Sequence, residues 1–319
     1  MDRPRGGAEA VTVAVIDIGT NTVLLLLVRA TATGRMEPLL SEQRVPRLGR
    51  GVDADRNLRA DAMERVIGVL LEYRAMMAPF GPDATVVCGT SAVRDAGNRD
   101  EFTRRVEERT GFALEVLSGR EEASWTYRGA LSGMQGITKA TVLDIGGGST
   151  EIAAGDATDV ARLISLDIGS VRISERLFRH DPPTHPELEA AIELIENLLG
   201  NVKGFSFEGS TLVGVAGTAT TLAALAQGLK AFDVTAVARY RLSRDVVEHL
   251  FRTLRVMPSA MIRELSGVME GRSDVITAGA LILREVMAHF RFDEMIVSER
   301  GVRYGLAMRE IERYHTKGA

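Results

Sequence analysis

The chain of 319 residues is 45% hydrophobic, which is ample for a buried core, and its length favours two domains over one. Its 39 Lys and Arg against 43 Asp and Glu give a formal charge of −4, so no overall basic field supports bulk nucleic-acid binding, and an anionic substrate would need a local arginine cluster. One cysteine excludes an internal disulfide, and the lack of a signal pattern and of a long apolar run leads us to expect no membrane partner and a cytoplasmic location.

The first element that carries chemistry is a predicted hairpin, which follows a loose terminus of residues 1–10. Residues 11–16 are a β-branched run, residues 17–22 are mostly polar, and residues 23–28 are apolar again. This order predicts a strand, a polar turn and a returning strand. The turn supplies candidate phosphate-binding residues, which are Asp17, Gly19, Thr20, Asn21 and Thr22.

Arginines are concentrated after this hairpin. They are Arg44, Arg47, Arg50, Arg56 and Arg59. A solvated loop and a role in attracting a polyanion explain them equally well.

Helices and strands then alternate, which predicts an α/β domain. Apolar spacing predicts a helix over 60–78, and a further helix over 99–110 is expected to end at Gly111. Strands are predicted over 84–88, where Cys88 should be buried, and over 113–117. The first of these strands delivers the segment 89–94, which ends in Arg94.

A helix predicted from residue 118 to about 131 places two acids in its first turn. Glu121 and Glu122 have two explanations, because the helix dipole favours acids there and because one of them could point into a cleft as a base. The pattern alone does not distinguish the two explanations.

The second hairpin is centred on three consecutive glycines, Gly146, Gly147 and Gly148. Consecutive glycines let several backbone N–H groups point at one place, which suits a phosphate. Ser149 and Thr150 follow, and the flanking acids Asp144 and Glu151 are the hard oxygen ligands that Mg²⁺ takes. A hairpin that only reverses the chain is the alternative, and it would not need the two hydroxyls and both acids.

The two hairpins share the sequence Asp-Ile-Gly, at Asp17 and at Asp144, 144 − 17 = 127 residues apart. The simplest explanation is two similar halves, each of which presents a phosphate-facing turn to a shared cleft. A third Asp-Ile-Gly at Asp167 lacks the glycines and hydroxyls that follow, so we expect no phosphate-binding turn there.

The rest of the chain continues the alternation. Strands are predicted over 160–166, 211–215 and 295–297, and helices over 170–179, 186–200, 243–257, 274–290 and 302–314, with Ser243 and Ser273 as N-caps. Gly217 and Thr218 lie in a small-residue turn at the start of a helix, which can hold an anion or can simply allow close packing.

Taken together, these segments resemble the exopolyphosphatase/guanosine pentaphosphate phosphohydrolase (Ppx/GppA) family, which is part of the actin–hexokinase–Hsp70 superfamily. The resemblance is carried in chain order by segments 15–22, 89–94, 118–123, 143–151 and 215–218, and by 272–280. It implies two duplicated ribonuclease H-like (actin-like ATPase) α/β domains with a cleft between them. The expected domains are residues 1–125, with the helix 302–319 packing back on them, and residues 126–301.

The resemblance also implies an activity, the hydrolysis of a terminal phosphoanhydride of inorganic polyphosphate or guanosine pentaphosphate. Its general base corresponds to Glu122, with Glu121 beside it, and Arg94 would neutralise charge on the phosphoryl group. Asp144 and Glu151 would hold Mg²⁺, or Mn²⁺ in its place, and a homodimer is expected.

Two other functions compete with this hypothesis. A sugar or acetate-type kinase of the same superfamily would need a nucleotide pocket around residues 215–221, where the only glycines near it are Gly214 and Gly217. A non-catalytic sensor of guanosine tetraphosphate or polyphosphate would not need the intact Glu122 and both metal-side acids.

Overall fold

The structure is a computed structural model, and it describes residues 10–31 and 35–317. The loose terminus expected for residues 1–10 lies outside this range except for Ala10.

The first sheet has five strands. They are β1 (Val11–Ile18), β2 (Val23–Ala30), β3 (Met36–Arg44), β4 (Ala84–Gly89) and β5 (Leu114–Val116). Their order is β3-β2-β1-β4-β5. Strand β2 pairs antiparallel with both β1 and β3, whereas β4 pairs parallel with β1 and β5 pairs parallel with β4. Every residue of β1 is buried, as expected of a central strand that is covered on both faces.

The second sheet repeats this topology and adds one strand. Its strands are β6 (Lys139–Ile145), β7 (Thr150–Asp156), β8 (Val160–Leu166), β9 (Thr211–Val215), β10 (Arg241–Ser243) and β11 (Glu294–Val297). From one edge the order is β8-β7-β6-β9-β11, with the same pattern of antiparallel and parallel pairs, and β10 extends the other edge. The predicted duplication of an α/β fold is therefore confirmed.

Helices cover both sheets. They are α1 (Val52–Asp55), α2 (Ala60–Met77), α3 (Ser91–Asp95), α4 (Arg99–Thr110), α5 (Gly119–Leu131), α6 (Ser170–Leu177), α7 (His185–Leu199), α8 (Ala216–Ala226), α9 (Val234–Val237), α10 (Arg244–Leu254), α11 (Ser259–Arg263), α12 (Ile276–His289) and α13 (Val302–Lys317). Ser243 caps α10 by accepting a hydrogen bond from the Val246 amide at 3.2 Å. The predicted cap at Ser273 is wrong, because α12 begins only after Val275.

Two helices lie between the sheets. α13 packs on β1 and β2, and α5 packs on β6, β7 and β8. The helices cross closely at two glycines, since a Cβ at Gly129 would lie 2.1 Å from the Gly301 carbonyl oxygen and one at Gly305 would lie 2.0 Å from the Trp125 carbonyl oxygen. A domain boundary at residue 125 would divide α5, so we place the point where the chain leaves the first half before this helix. Below, the first half is the first sheet with α1–α4, and the second half is the second sheet with α6–α12.

Candidate active site

The turns of the two hairpins meet in one cavity of about 890 Å³ between the halves. The sequence-predicted residues that line it are Asp17, Gly19, Thr20, Asn21, Thr22, Glu122, Asp144, Gly146, Gly147, Gly148, Ser149 and Gly217. Residues separated by more than a hundred positions therefore share one site, and they come from the two hairpins, from α5 and from α8.

The two turns have the same backbone geometry. The Gly19 amide donates to the Thr22 carbonyl at 2.9 Å, and the Gly146 amide donates to the Ser149 carbonyl at 3.0 Å. The strand registers also correspond, with Asp17 opposite Leu24 in the first hairpin and Asp144 opposite Glu151 in the second. The position of Leu24 is thus occupied by a carboxylate only in the second hairpin.

Carbonyl groups of both turns are hydrogen-bonded from behind by the chain that follows the third strand of each sheet. In the first turn, the Gly49 amide donates to the Thr20 carbonyl at 2.8 Å. In the second, the Ser170 amide donates to the Gly146 carbonyl and the Val171 amide to the Gly147 carbonyl, both at 2.9 Å.

The amides of the turn tips are free to bind a ligand. Within residues 10–31 and 35–317, no acceptor is found for the amides of Thr20, Asn21, Thr22, Gly147, Gly148 and Ser149. Two adjacent sets of unsatisfied N–H groups form an anion-binding concavity.

The tips of the two turns contact each other. A Cβ at Gly148 would lie 2.4 Å from the Ser91 hydroxyl oxygen and 2.9 Å from that of Thr20. The lack of a side chain at Gly148 leaves room for these two hydroxyls beside the second turn.

Four acids lie close to these amides: Asp17, Glu122 and Glu151 are buried, and Asp144 is half-buried. Burial and the charge of Glu122 raise the pKa of Asp17 to about 7. Burial, with the charges of Glu122 and Asp17, raises the pKa of Asp144 to about 8. Burial likewise raises the pKa of Glu151 well above its ordinary value, again with the neighbouring carboxylates contributing.

Glu122 has a cationic partner. Arg94 Nη1 donates to Glu122 Oε2 at 2.8 Å and to the Leu117 carbonyl at 3.1 Å. Burial raises the pKa of Glu122, and the charge of Arg94 opposes this effect. Arg94 does not line the cavity, and its guanidinium contacts Glu122. Its expected role in neutralising charge on the phosphoryl group stays a prediction.

Four other predicted residues lie outside the cavity lining, and their contacts explain why. Glu121 is exposed and accepts hydrogen bonds from the Ser118 amide and hydroxyl, which makes it part of the capping box of α5. The Thr150 and Thr218 hydroxyls donate to the carbonyls of Ile168 and Ile145, so neither hydroxyl is available to a phosphate. Glu151 is 2% exposed, lies opposite Asp144 on the paired strand, and accepts from the Ser165 hydroxyl at 2.6 Å.

The arginines after the first hairpin are divided between different surfaces. Arg44 lines the cavity but is paired with Glu42 and Glu72. Arg47 and Arg50 line a second cavity of about 340 Å³. Arg56 and Arg59 are exposed.

Arg272 is a residue of the cavity that the sequence did not identify. Its side chain is buried, its Nη2 donates to the Thr22 hydroxyl at 3.3 Å, and its Nε has no partner among the described residues. Burial lowers the pKa of Arg272 to about 10, and the charge of Asp144 opposes this effect. Gly217 lies against it, since a Cβ there would be 2.0 Å from Nη2. A buried guanidinium with so few contacts is suited to an anionic ligand.

The acids fit a divalent cation only in part. Within the described ranges, no group of three or more His, Cys, Asp and Glu side chains could hold a metal ion by itself. Mg²⁺ is commonly bound through one or two carboxylates together with substrate phosphates, and the mutual repulsion of buried carboxylates favours a cation beside them. The donor chemistry therefore fits Mg²⁺ in the presence of a phosphate substrate.

The raised pKa values predict that the protein without metal loses stability as pH rises. Asp17 and Asp144 bind protons in the folded state up to about pH 7 and about pH 8, whereas the unfolded chain releases them near pH 4. The folded state binds more protons in this window, so the free energy of unfolding should fall with rising pH. Urea unfolding in EDTA at several pH values measures the slope, which Asp17→Asn should reduce. A flat or rising free energy of unfolding would contradict the prediction.

Two repeated α/β halves around a cleft define a protein with the actin-like ATPase fold, and the acids and free amides that line the cleft fit a phosphate ligand. Residues 27–314 match the model of the Ppx/GppA phosphatase family, and the chain belongs to this family. The predictions of the family, of the fold class and of a phosphatase are therefore confirmed.

Three relatives illustrate the match. Exopolyphosphatase 2 of Mycobacterium tuberculosis is 36% identical over 312 residues, which are 93% of this chain and 97% of that protein. The crystal structure of the Aquifex aeolicus member of the Ppx/GppA family has a TM-score of 0.81 and 32% identity, and the match covers 96% of this chain and 99% of that one. Guanosine-5'-triphosphate,3'-diphosphate pyrophosphatase of Photobacterium profundum is 29% identical over 92% of this chain and 58% of that protein.

Helices long and apolar enough to cross a membrane do not occur in the part of the chain that the structure describes.

Proposed function

We propose that the protein hydrolyses a terminal phosphoanhydride bond, releasing phosphate from inorganic polyphosphate or guanosine pentaphosphate. The observation that carries the proposal is the presence of Glu122 in the same cavity as the two turns with free amides. The names of the M. tuberculosis and P. profundum relatives support these two substrates.

Each group of residues in the cavity has a separate role in the proposed phosphoryl transfer. The free amides of the two turns bind the oxygens of the terminal phosphoryl group, and Arg272 adds a positive charge next to them. Glu122 orients a water for in-line attack and accepts its proton, and its buried setting makes it a stronger base than an exposed carboxylate. Arg94 positions Glu122.

Mg²⁺, with Mn²⁺ as its substitute, belongs to the same proposal. Asp144 and Asp17, which line the cavity, would hold it, together with Glu151, which lies opposite Asp144 on the paired strand. When bound, the ion neutralises phosphate charge and polarises the phosphoryl oxygens. A homodimer and a cytoplasmic location are also proposed, and light scattering and cell fractionation test them.

The two competing functions receive less support. A kinase would need a nucleotide pocket around residues 215–221, and there the Arg272 guanidinium covers Gly217. A sensor would not require a buried Glu122 held by an arginine.

Phosphate release from polyphosphate, guanosine pentaphosphate and ATP, with Mg²⁺ or with EDTA, separates the three functions. We expect Mg²⁺-dependent release from at least one of the first two substrates. Binding without release would favour a sensor, and transfer of phosphate from ATP to a sugar or acetate would favour a kinase; either result would overturn the proposal.

A further inference from the structure

The third Asp-Ile-Gly, in which the sequence predicts no phosphate-binding turn, lies directly behind the second turn. A Cβ at Gly169 would lie 2.4 Å from the Gly147 carbonyl oxygen, so this glycine allows the start of α6 to reach the turn. The amides of Ser170, Val171 and Arg172 donate to the carbonyls of Gly146 and Gly147.

Arg172 completes this support with its side chain. Its Nε donates to the Gly148 carbonyl at 2.6 Å. All three glycine carbonyls are therefore held from the α6 side. The carbonyls of the tip therefore face α6, while the amides of Gly147, Gly148 and Ser149 have no acceptor among the described residues and remain available to the cavity.

The first turn achieves the same arrangement without a side chain. Gly148 corresponds to Asn21, since 148 − 21 = 127 is also the separation of the two aspartates. The Asn21 carbonyl accepts from the backbone amide of Arg47 at 3.0 Å. The Arg172 guanidinium takes the place of that amide in the second turn.

The same guanidinium reaches into the first half. Nη1 of Arg172 pairs with Asp53 on α1, and Nη2 donates to Asp95 on α3 at 2.5 Å. Asp95 follows Arg94, the residue that holds Glu122. One buried side chain thus joins the second turn to the segment that orients the proposed base.

We propose that Arg172 is a positioning residue, which fixes the amides of the second turn relative to Glu122 for the transition state of the hydrolysis proposed above. Amides that are misplaced by a fraction of an ångström lose more stabilisation of the transition state, where charge develops, than of the bound substrate. Replacing Arg172 should therefore change kcat more than KM.

The test uses Arg172→Lys and Arg172→Met, with Arg176→Ala as the matched control. Arg176 lies one turn along α6 and pairs with the same Asp53, but none of its contacts reaches the second turn. Both Asp53 and Asp95 keep a cationic neighbour in the Arg172 variants, because Asp53 still pairs with Arg176 and an Asp95 oxygen lies 4.0 Å from Nε of Arg94.

We expect both Arg172 variants to lower kcat by at least about 10-fold, with a smaller change in KM, and Arg176→Ala to stay within about 2-fold of the wild type. The Kd of orthovanadate, measured by calorimetry, should rise in the Arg172 variants in parallel with the loss of kcat. Unchanged kcat and Kd, or a kcat that falls only with the folded fraction seen by circular dichroism, would overturn the inference.

Two further arms keep the test decisive. If an Arg172 variant does not fold, Asp95→Asn replaces it, because this variant keeps Arg172 but weakens one of its ion pairs. It should lower kcat and raise the Kd of vanadate in the same way, by smaller factors. A wild-type kcat and Kd in Asp95→Asn would overturn the inference. If the wild type hydrolyses no phosphoanhydride, the proposed function fails, whereas the vanadate affinities still decide whether Arg172 positions the turn.

Discussion

Replacing Glu122 with glutamine is expected to lower kcat for phosphate release by about 100-fold or more, while the protein stays folded. The amide has nearly the shape of the carboxylate but accepts no proton from water. Arg94 can still donate to the amide oxygen at the place of its present 2.8 Å bond. Removing one of several mutually repelling buried charges should also leave stability unchanged or higher.

The matched control is Glu121→Gln. Glu121 lies next to Glu122 in the same helical turn, but it is exposed and caps α5. The Glu121→Gln variant should therefore keep wild-type kcat and lose at most a small part of its stability. Initial-rate kinetics at saturating Mg²⁺, with thermal unfolding of both variants, make the comparison. Near-normal turnover in Glu122→Gln, or an equal loss in the two variants, would refute the assignment of the base.

The sequence could predict those parts of the site that depend on local chain geometry. An apolar strand that ends in aspartate and glycine specifies a turn, and its recurrence 127 residues later at Asp144 predicted the paired hairpins. The choice between Glu121 and Glu122 did not follow from the pattern, because both acids suit a first helical turn. Only the packing of α5 shows that one side chain is buried at the cavity while the other faces solvent.

Contacts between distant segments explain what could not be predicted. Arg272 enters the cavity because the chain before α12 contacts the first turn, where Asn21 Nδ2 donates to the Gly271 carbonyl at 2.9 Å. Arg172 reaches the first half for a similar reason, since its partners Asp53 and Asp95 lie far away in sequence. Neither contact leaves a local pattern of residue types.

Among the elements of the fold, β3 was not predicted. Its residues are mostly half-buried or exposed, and Pro38 interrupts them beside an irregularity in the pairing with β2. An edge strand tolerates this composition because only one of its sides must pair, so its apolar alternation is weak. The boundary predicted at residue 125 lies within α5, and a helix between two halves carries no turn signal that would mark where the halves meet.

Replacing Asp144 with asparagine is expected to change activity and stability in opposite directions. Activity should fall by about 100-fold or more, because the proposed Mg²⁺ loses a ligand that faces the phosphates, and added Mg²⁺ should no longer raise kcat as it does in the wild type. Stability in EDTA near neutral pH should increase by more than about 1 kcal/mol, because the neutral amide removes a half-buried carboxyl whose pKa is raised to about 8.

This opposition is what distinguishes a metal-binding acid from a structural one. A structural carboxylate is stabilised by its partners, so its loss lowers stability and activity together, whereas Asp144 lies among other acids that raise its pKa. Asp156, at the end of β7, is the control: it accepts hydrogen bonds from Thr158 and Asp159 that lower its pKa, and Asp156→Asn should reduce stability slightly and leave kcat unchanged. Titration of activity with Mg²⁺, together with unfolding in EDTA and in Mg²⁺, measures both effects. An Asp144→Asn protein that is less stable than the wild type in EDTA, or that keeps its full response to Mg²⁺, would show that this carboxylate does not hold the ion.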